Sequence, residues 1–306
     1  MSAKIIGIGT ALPEKIVTNH DLSNLMDTND EWITSRTGIK QRHFVTNQNT
    51  SDLATIAAKQ AISDAKLSPQ DIDVIIVCTF TPDNFTPSVA SMVQKNLGLT
   101  HNMMAFDVNG ACSGFLIGLE IALGLLNTHK NCLLIGAEVI SKMLDFTDRS
   151  TAILFGDGAG AVVLTADKSR EFNIINRAYP DIDSVLYANG INGDNEKQTI
   201  KMNGSEVFRF AVKALSEGIQ AMDYESCDLI IPHQANSRII SNVSRSLKIP
   251  IEKFYMNLDQ VGNTSAASIV IALKQAITEG KLKPKDKVLC VGFGAGLTMG
   301  SALFEL

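Results

Sequence analysis

Aromatic residues are scarce in this chain of 306 residues, at 6% with a single tryptophan, and proline appears only 8 times against 22 glycines. That shortage argues against an all-β domain of many short strands and against a Pro-rich disordered chain. Dense blocks of Lys and Arg are also missing. With a net charge of −5, the overall field gives no reason to expect nucleic acid or an anionic membrane as a partner. The opening residues, MSAKIIGIGTALPEKI, place one Lys before a short apolar run broken by Gly and Pro. That pattern suits neither a signal peptide nor a spanning helix, so the expected location is the cytoplasm. Five cysteines are an odd number, and no two have CxxC spacing. Cys78, Cys132 and Cys290 sit inside apolar runs that read as buried strands, and Cys227 precedes another. All four read as small core residues.

What is present is enough apolar material for a large core, 45% hydrophobic against 19% charged, in a chain longer than the usual single domain. Two domains or two fused halves are therefore expected. Strand patterns are expected over 73–80, 103–108, 131–137, 159–165, 228–232, 254–257, 287–293 and 300–306. Helical patterns are expected over 87–97, 112–127, 235–247 and 265–279. The alternation implies an α/β fold with parallel pairing. IDVIIV, NGACSGF and NCLLIGA in the first half recur in order as CDLIIP, VGNTSAAS and KVLCVGF in the second. We read a duplicated unit of roughly 140 to 150 residues. The join falls near 166–172, giving halves 1–168 and 169–306.

Cys112 follows a strand and a turn of small residues and opens a long apolar helix. A thiol at a helix N-terminus meets unpaired N–H groups and the positive end of the dipole, both of which favour thiolate. An inert core cysteine capping a helix is the bland alternative. Of the five histidines, His233 stands apart, directly after the strand pattern DLIIP, at the carboxyl end where open α/β sheets place their sites. Asn263 occupies the equivalent strand-to-helix corner, where a simple N-cap role is equally open. A pseudo-twofold axis relating the halves would bring Cys112 against His233 and Asn263. The run VGFGAGLTMG supplies small residues whose backbone N–H groups can act as oxyanion donors. It is not a dinucleotide motif, because a strand follows it and not a helix.

At these segments, and at DTNDEWITSRTGIKQRH, DRSTAILFGDGAGAVVL, KMNGSEVF and IPHQANSRII, the chain resembles the β-ketoacyl-acyl-carrier-protein synthase III family from end to end. The resemblance implies a thiolase-like fold of two duplicated α/β halves in a five-layered αβαβα arrangement, and a homodimer. It also implies decarboxylative Claisen condensation of an acyl-CoA primer with malonyl-acyl carrier protein. Acyl-CoA is then a substrate, with no bound cofactor and no metal.

Carried over, the resemblance makes Cys112 the acyl acceptor and His233 and Asn263 the holders of the malonyl thioester carbonyl. The N–H groups of Cys112 and Ala295 become the oxyanion donors. Trp32 and Arg149 are expected to sandwich the CoA adenine, Thr28 to contact it and Arg36 to meet phosphate. Asn236 and Gly204 are expected to bind the pantetheine arm, and Arg209, Arg238 and Arg245 to dock the carrier protein. Phe208 is expected beside the sulfur. Thr86 is expected to close the acyl pocket from the partner subunit, where its small size leaves room for branched or longer primers. The segment 181–199 looks shorter than in relatives. A ketosynthase of a specialised pathway stays open as an alternative. A dead subunit would have lost the nucleophile, and the duplicated α/β order and the missing CGSCW-type context of this chain argue against a papain-like protease.

Overall fold

Strands whose residues are buried on both faces read as unbroken apolar runs, and their alternate side chains sort into two different cores. The computed structural model describes residues 2–190 and 198–306. The first half holds β1 (Ser2–Ala11), β2 (Lys15–Thr18), α1 (Asn19–Ser23), α2 (Asp30–Thr37), β3 (Gln41–Phe44) and α3 (Thr50–Asp64). It continues with β4 (Val74–Cys78), α4 (Val89–Asn96), β5 (Met104–Val108), α5 (Gly114–Leu125), β6 (Asn131–Glu138) and β7 (Gly158–Glu171). There follow β8 (Asn173–Ala178), β9 (Leu186–Ala188), β10 (Ile200–Met202), α6 (Gly204–Gln220) and β11 (Leu229–Pro232). The chain ends with α7 (Ser237–Leu247), α8 (Leu258–Val261), α9 (Ser268–Thr278), β12 (Lys287–Gly294) and β13 (Thr298–Glu305).

The two large sheets have the same plan. One runs β1-β7-β6-β4-β5 and the other β8-β13-β12-β11. In each, a parallel pair, β4 with β6 and β11 with β12, is followed by two antiparallel pairings. Val74, Ile76, Cys132 and Leu134 face inward with Phe115, Leu119, Ile269, Leu273, Val288 and Cys290, so α5 and α9 form a middle layer between the sheets. Ile75, Val77, Leu133 and Ile135 face outward onto α3 and α4. Leu289 and Val291 face outward onto α6 and α7. The result is the thiolase-like αβαβα stack.

Several expected elements shift. The strand expected over 254–257 is reduced to a single parallel bridge between Ile230 and Phe254. Tyr255 N–H donates to Ile230 O at 2.9 Å, but the next rung is lost because Asn257 N–H donates to the Gln234 side-chain oxygen at 3.0 Å. The helix expected from residue 112 begins at Gly114, after a 3-10 turn over Ala111–Ser113. The expected strand over 159–165 runs on to Glu171, and the chain crosses between the sheets at Phe172, a few residues past the 168/169 division. Residues 191–197 of the short segment lie outside the described residues. Among the described residues no helix is long and apolar enough to cross a membrane.

Candidate active site

The two strand-to-helix corners are built alike. After β5, Asn109 Oδ1 accepts the N–H of Ala111 at 3.2 Å, and Ala111 takes a left-handed φ of 45° before the turn leads into α5. In the second half, Asn263 Oδ1 accepts the N–H of Ser265 at 2.9 Å, and Ser265 has φ 50° before the turn Ser265–Ala267 leads into α9. Asn263 therefore matches Asn109, and Ala266 matches Cys112. The corners pack against each other. Gly136 of β6 lets them do so, since a Cβ there would sit 2.3 Å from Ala266 O.

Cys112 lies in the 3-10 turn with its side chain almost wholly buried. Burial pushes its thiol up to about 12, the nearby Glu138 charge adds to the rise, and the Ser265 hydroxyl opposes it. Burial thus outweighs the helix N-terminus that the sequence pointed to, and the resting group is a thiol. Its N–H belongs to the first turn of a helix, where no helical carbonyl is available as acceptor.

His233 follows β11 and is fixed at both ends. Its N–H donates to Val291 O at 2.8 Å, and Nδ1 lies 2.7 Å from Ser268 Oγ in the first turn of α9. Phe293 meets the ring edge-on at 5.3 Å. Burial lowers its pKa to about 3, so the ring is neutral. A Ser268 hydroxyl that donates to Nδ1 leaves the proton on Nε2, which is buried and among the described residues has no partner. Asn263 is held just as firmly. Its N–H donates to Leu154 O, its carbonyl accepts from Gly156, and its Oδ1 is taken by Ser265, so Nδ2 remains as the outward donor. Ser268 was not singled out by the sequence reading; the signal was a serine five residues after Asn263 at a helix start.

Cys112 opens on a cavity of about 1400 Å³ that is also lined by Ala295, Thr86, Phe85, Leu144, Phe155 and Leu186. Ala295 begins the turn between β12 and β13, where its carbonyl accepts from Thr298 Oγ1 at 3.3 Å; Thr298 in turn reaches Ser113 Oγ at 2.9 Å. Phe208 is half-buried on α6. It packs with the outer cluster of α6 and α7, and among the described residues the ring against His233 is Phe293.

The expected CoA residues cluster on α2 and its surroundings. Trp32 is half-buried, with Arg36 Cζ at 4.5 Å and Arg149 Cζ at 4.8 Å from its ring centroid. Arg149 also donates to Asp27 O at 2.7 Å. An adenine entering between Trp32 and Arg149 therefore has to displace an existing cation–π contact. Thr28 Oγ1 is buried and has no partner among the described residues. Asn236 caps α7 through Arg238 N–H and donates to Arg36 O at 3.0 Å, so both ends of its amide serve the fold. A Cβ at Gly204 would meet only Met202 Cε, at 3.8 Å. Arg209 on α6 pairs with Glu206, and Arg238 and Arg245 lie exposed on the neighbouring α7.

Two duplicated α/β halves whose strand-to-helix corners pack together, one of them carrying a buried cysteine, define a thiolase-like condensing enzyme. Residues 106–180 match the family model for 3-oxoacyl-[acyl-carrier-protein] synthase III, and residues 219–306 match the model of its C-terminal part. The beta-ketoacyl-[acyl-carrier-protein] synthase III of Clostridium perfringens strain SM101 is 46% identical, covering 100% of this chain and 99% of its own length. The crystal structure of 3-oxoacyl-[acyl-carrier-protein] synthase III from Aquifex aeolicus VF5 superposes with a TM-score of 0.94 at 43% identity, over 99% of this chain and 100% of its own. The priming beta-ketosynthase of the R1128 polyketide pathway superposes at 0.93 with 28% identity, over 99% of this chain and 96% of its own. The chain belongs to the 3-oxoacyl-[acyl-carrier-protein] synthase III family.

Proposed function

We propose that this chain starts fatty acid synthesis by moving an acyl group from acyl-CoA to Cys112 and joining it to malonyl-acyl carrier protein with loss of CO2. The unpartnered Nε2 of a neutral, buried His233 carries this reading. Decarboxylation builds enolate charge on the malonyl thioester oxygen, and Nε2–H together with Asn263 Nδ2 stabilises it without solvent reorganisation. The N–H groups of Cys112 and Ala295 serve the tetrahedral oxyanion formed at the acyl carbonyl. Acyl-CoA enters past Trp32, Arg36 and Arg149, and the carrier protein docks on Arg209, Arg238 and Arg245 as a salt-sensitive steering surface. The fatty acid role is favoured over a polyketide role by the greater identity to the first two relatives.

Given radiolabelled short acyl-CoA, the protein is expected to become labelled at Cys112 and then to release a 3-oxoacyl product when malonyl-acyl carrier protein is added. Labelling without condensation would sink the fatty acid role. A homodimer fits the edge strand β5 and Phe85, which is 75% exposed at the cavity. At Thr86, which lines the same cavity, a Thr86→Phe change should narrow the primer range toward acetyl. An unchanged profile across a panel of acyl-CoAs would contradict that.

A further inference from the structure

Arg42 in β3 is fully buried, and among the described residues no carboxylate pairs with it. Burial lowers its pKa only to about 10, so the guanidinium keeps its charge at neutral pH. A buried cation without a counter-ion is a poor choice for stability alone, because an apolar side chain of similar volume avoids the desolvation cost. Nη2 donates to Ile153 O at 2.7 Å, while Nη1 donates to Asn19 Oδ1 at 2.8 Å and to Val17 O at 3.3 Å. Nε is buried and has no partner among the described residues.

Ile153 leads into the segment that holds Asn263. Leu154 O accepts the N–H of Asn263 and Asn263 O accepts the N–H of Gly156, each at 2.9 Å, so Phe155 and Asn263 form a parallel bridge. The stem of Arg42 lies against the same bridge. A Cβ at Gly156 would sit 3.1 Å from Arg42 Cβ, and one at Gly262 would sit 3.0 Å from it, so the arginine fills the room that both glycines leave. His43 O accepts the N–H of Asp157 at 2.8 Å, which ties β3 to the far end of the segment. On the other side of the fork, Asn19 Nδ2 donates to Asp30 Oδ1 and to Ile39 O, both at 2.8 Å. The guanidinium is thereby braced against α2 and the turn that follows it.

We propose that Arg42 is a positioning residue for Asn263, its fork and stem holding segment 153–156 so that Asn263 Nδ2 is aimed at the malonyl thioester oxygen before decarboxylation begins. The role rests on the reading of Asn263 as a donor to that oxygen. Arg42 touches no reacting atom and acts through backbone alone.

A donor stabilises developing charge fully only if it is aimed in advance, since swinging it into place during the reaction costs what solvent reorganisation would. The backbone bonds of Asn263 end on Leu154 and Gly156, which lie in a turn outside both large sheets. That turn needs its own support, and Arg42 supplies it at Ile153. A planar fork suits the task because it reaches Ile153 on one side and Asn19 on the other at once, which a lysine ammonium on its single stem does not.

The test measures the two half-reactions separately in Arg42→Met, which removes the fork, and Arg42→Lys, which keeps the charge and can meet only one side. Condensation of acylated Cys112 with malonyl-acyl carrier protein should be about 100-fold slower in Arg42→Met and about 10-fold slower in Arg42→Lys, as expected of a donor displaced by about 1 Å or less. Acylation of Cys112 at saturating acyl-CoA should keep its wild-type rate. Arg42→Lys is the milder change and carries the test alone if Arg42→Met does not fold. Added to Asn263→Ala, Arg42→Lys should slow condensation no further, because both changes remove the same donor. Equal losses in the two half-reactions, or additive losses in the double variant, overturn the proposal. So does full condensation in Arg42→Lys, which would mean that the charge alone suffices. If Asn263→Ala by itself condenses at the wild-type rate, the reading of Asn263 as a donor fails, and amide hydrogen exchange decides the positioning. In Arg42→Lys the N–H groups of Gly156 and Asn263 should then exchange about 10-fold faster than in wild type while those of β6 keep their protection. Unchanged exchange at these two amides overturns the positioning itself.

Discussion

His233→Ala should slow condensation with malonyl-acyl carrier protein about 100- to 1,000-fold, while Cys112 still takes its acyl group from acyl-CoA at near the wild-type rate. The split follows from which groups touch which. His233 is held by Ser268 and Phe293 with Nε2 unpartnered, whereas the thiol of Cys112 answers to burial, Ser265 and Glu138. Because burial lowers His233 to about 3, the ring carries no charge above that pH. Condensation should therefore show no acid limb from this histidine near its ordinary pKa of about 6.5. A titration of the Cys112 thiol in the variant completes the test. If its pKa rises strongly, or if acylation falls as far as condensation, then His233 activates the sulfur and the division of labour is wrong.

The proposed trio of Cys112, His233 and Asn263 stood out in the sequence because each member sits at the carboxyl end of a strand pattern, before a helix. The duplicated element order supplied a reason for the corners to meet. The five layers were legible too, since Val74–Cys78, Asn131–Glu138 and Lys287–Gly294 are apolar on both faces. What escaped was whatever depends on which segment closes over which. Glu138 ends an apolar strand and, read locally, looks like a charge reaching solvent. Its burial comes from Thr79–Thr81 and from Ser265, far away along the chain. An acid with Gly-Ala before it and Val-Ile after it was the available signal. Arg42 escaped for the same reason. It is fully buried, donating to Asn19 Oδ1 at 2.8 Å and Ile153 O at 2.7 Å, and burial lowers it to about 10.

Gly294→Ala should disable the nucleophile without touching it. Gly294 ends β12 where the strand crosses the Cys112 corner, and an added Cβ would lie 2.9 Å from the backbone nitrogens of both Cys112 and Ser113. Backbone cannot rotate away as a side chain can, so either the turn Ala111–Ser113 or the end of β12 must move. Both carry the proposed oxyanion donors. Cys112 is in the turn, and Ala295 directly follows the strand, so a shift of either spoils their common focus on one carbonyl oxygen. A displacement near 1 Å is enough to cost about 100-fold in rate, and overpacking of this kind costs about 1–3 kcal/mol in stability. The expected result is a slow Cys112 acylation that a higher acyl-CoA concentration does not restore, with a lowered Tm. Methyl groups elsewhere on the same strand should lower Tm without the rate loss. If Gly294→Ala acylates Cys112 at the wild-type rate, the backbone N–H groups at this corner are not the oxyanion donors, and the carbonyl must be held from another side of the cavity.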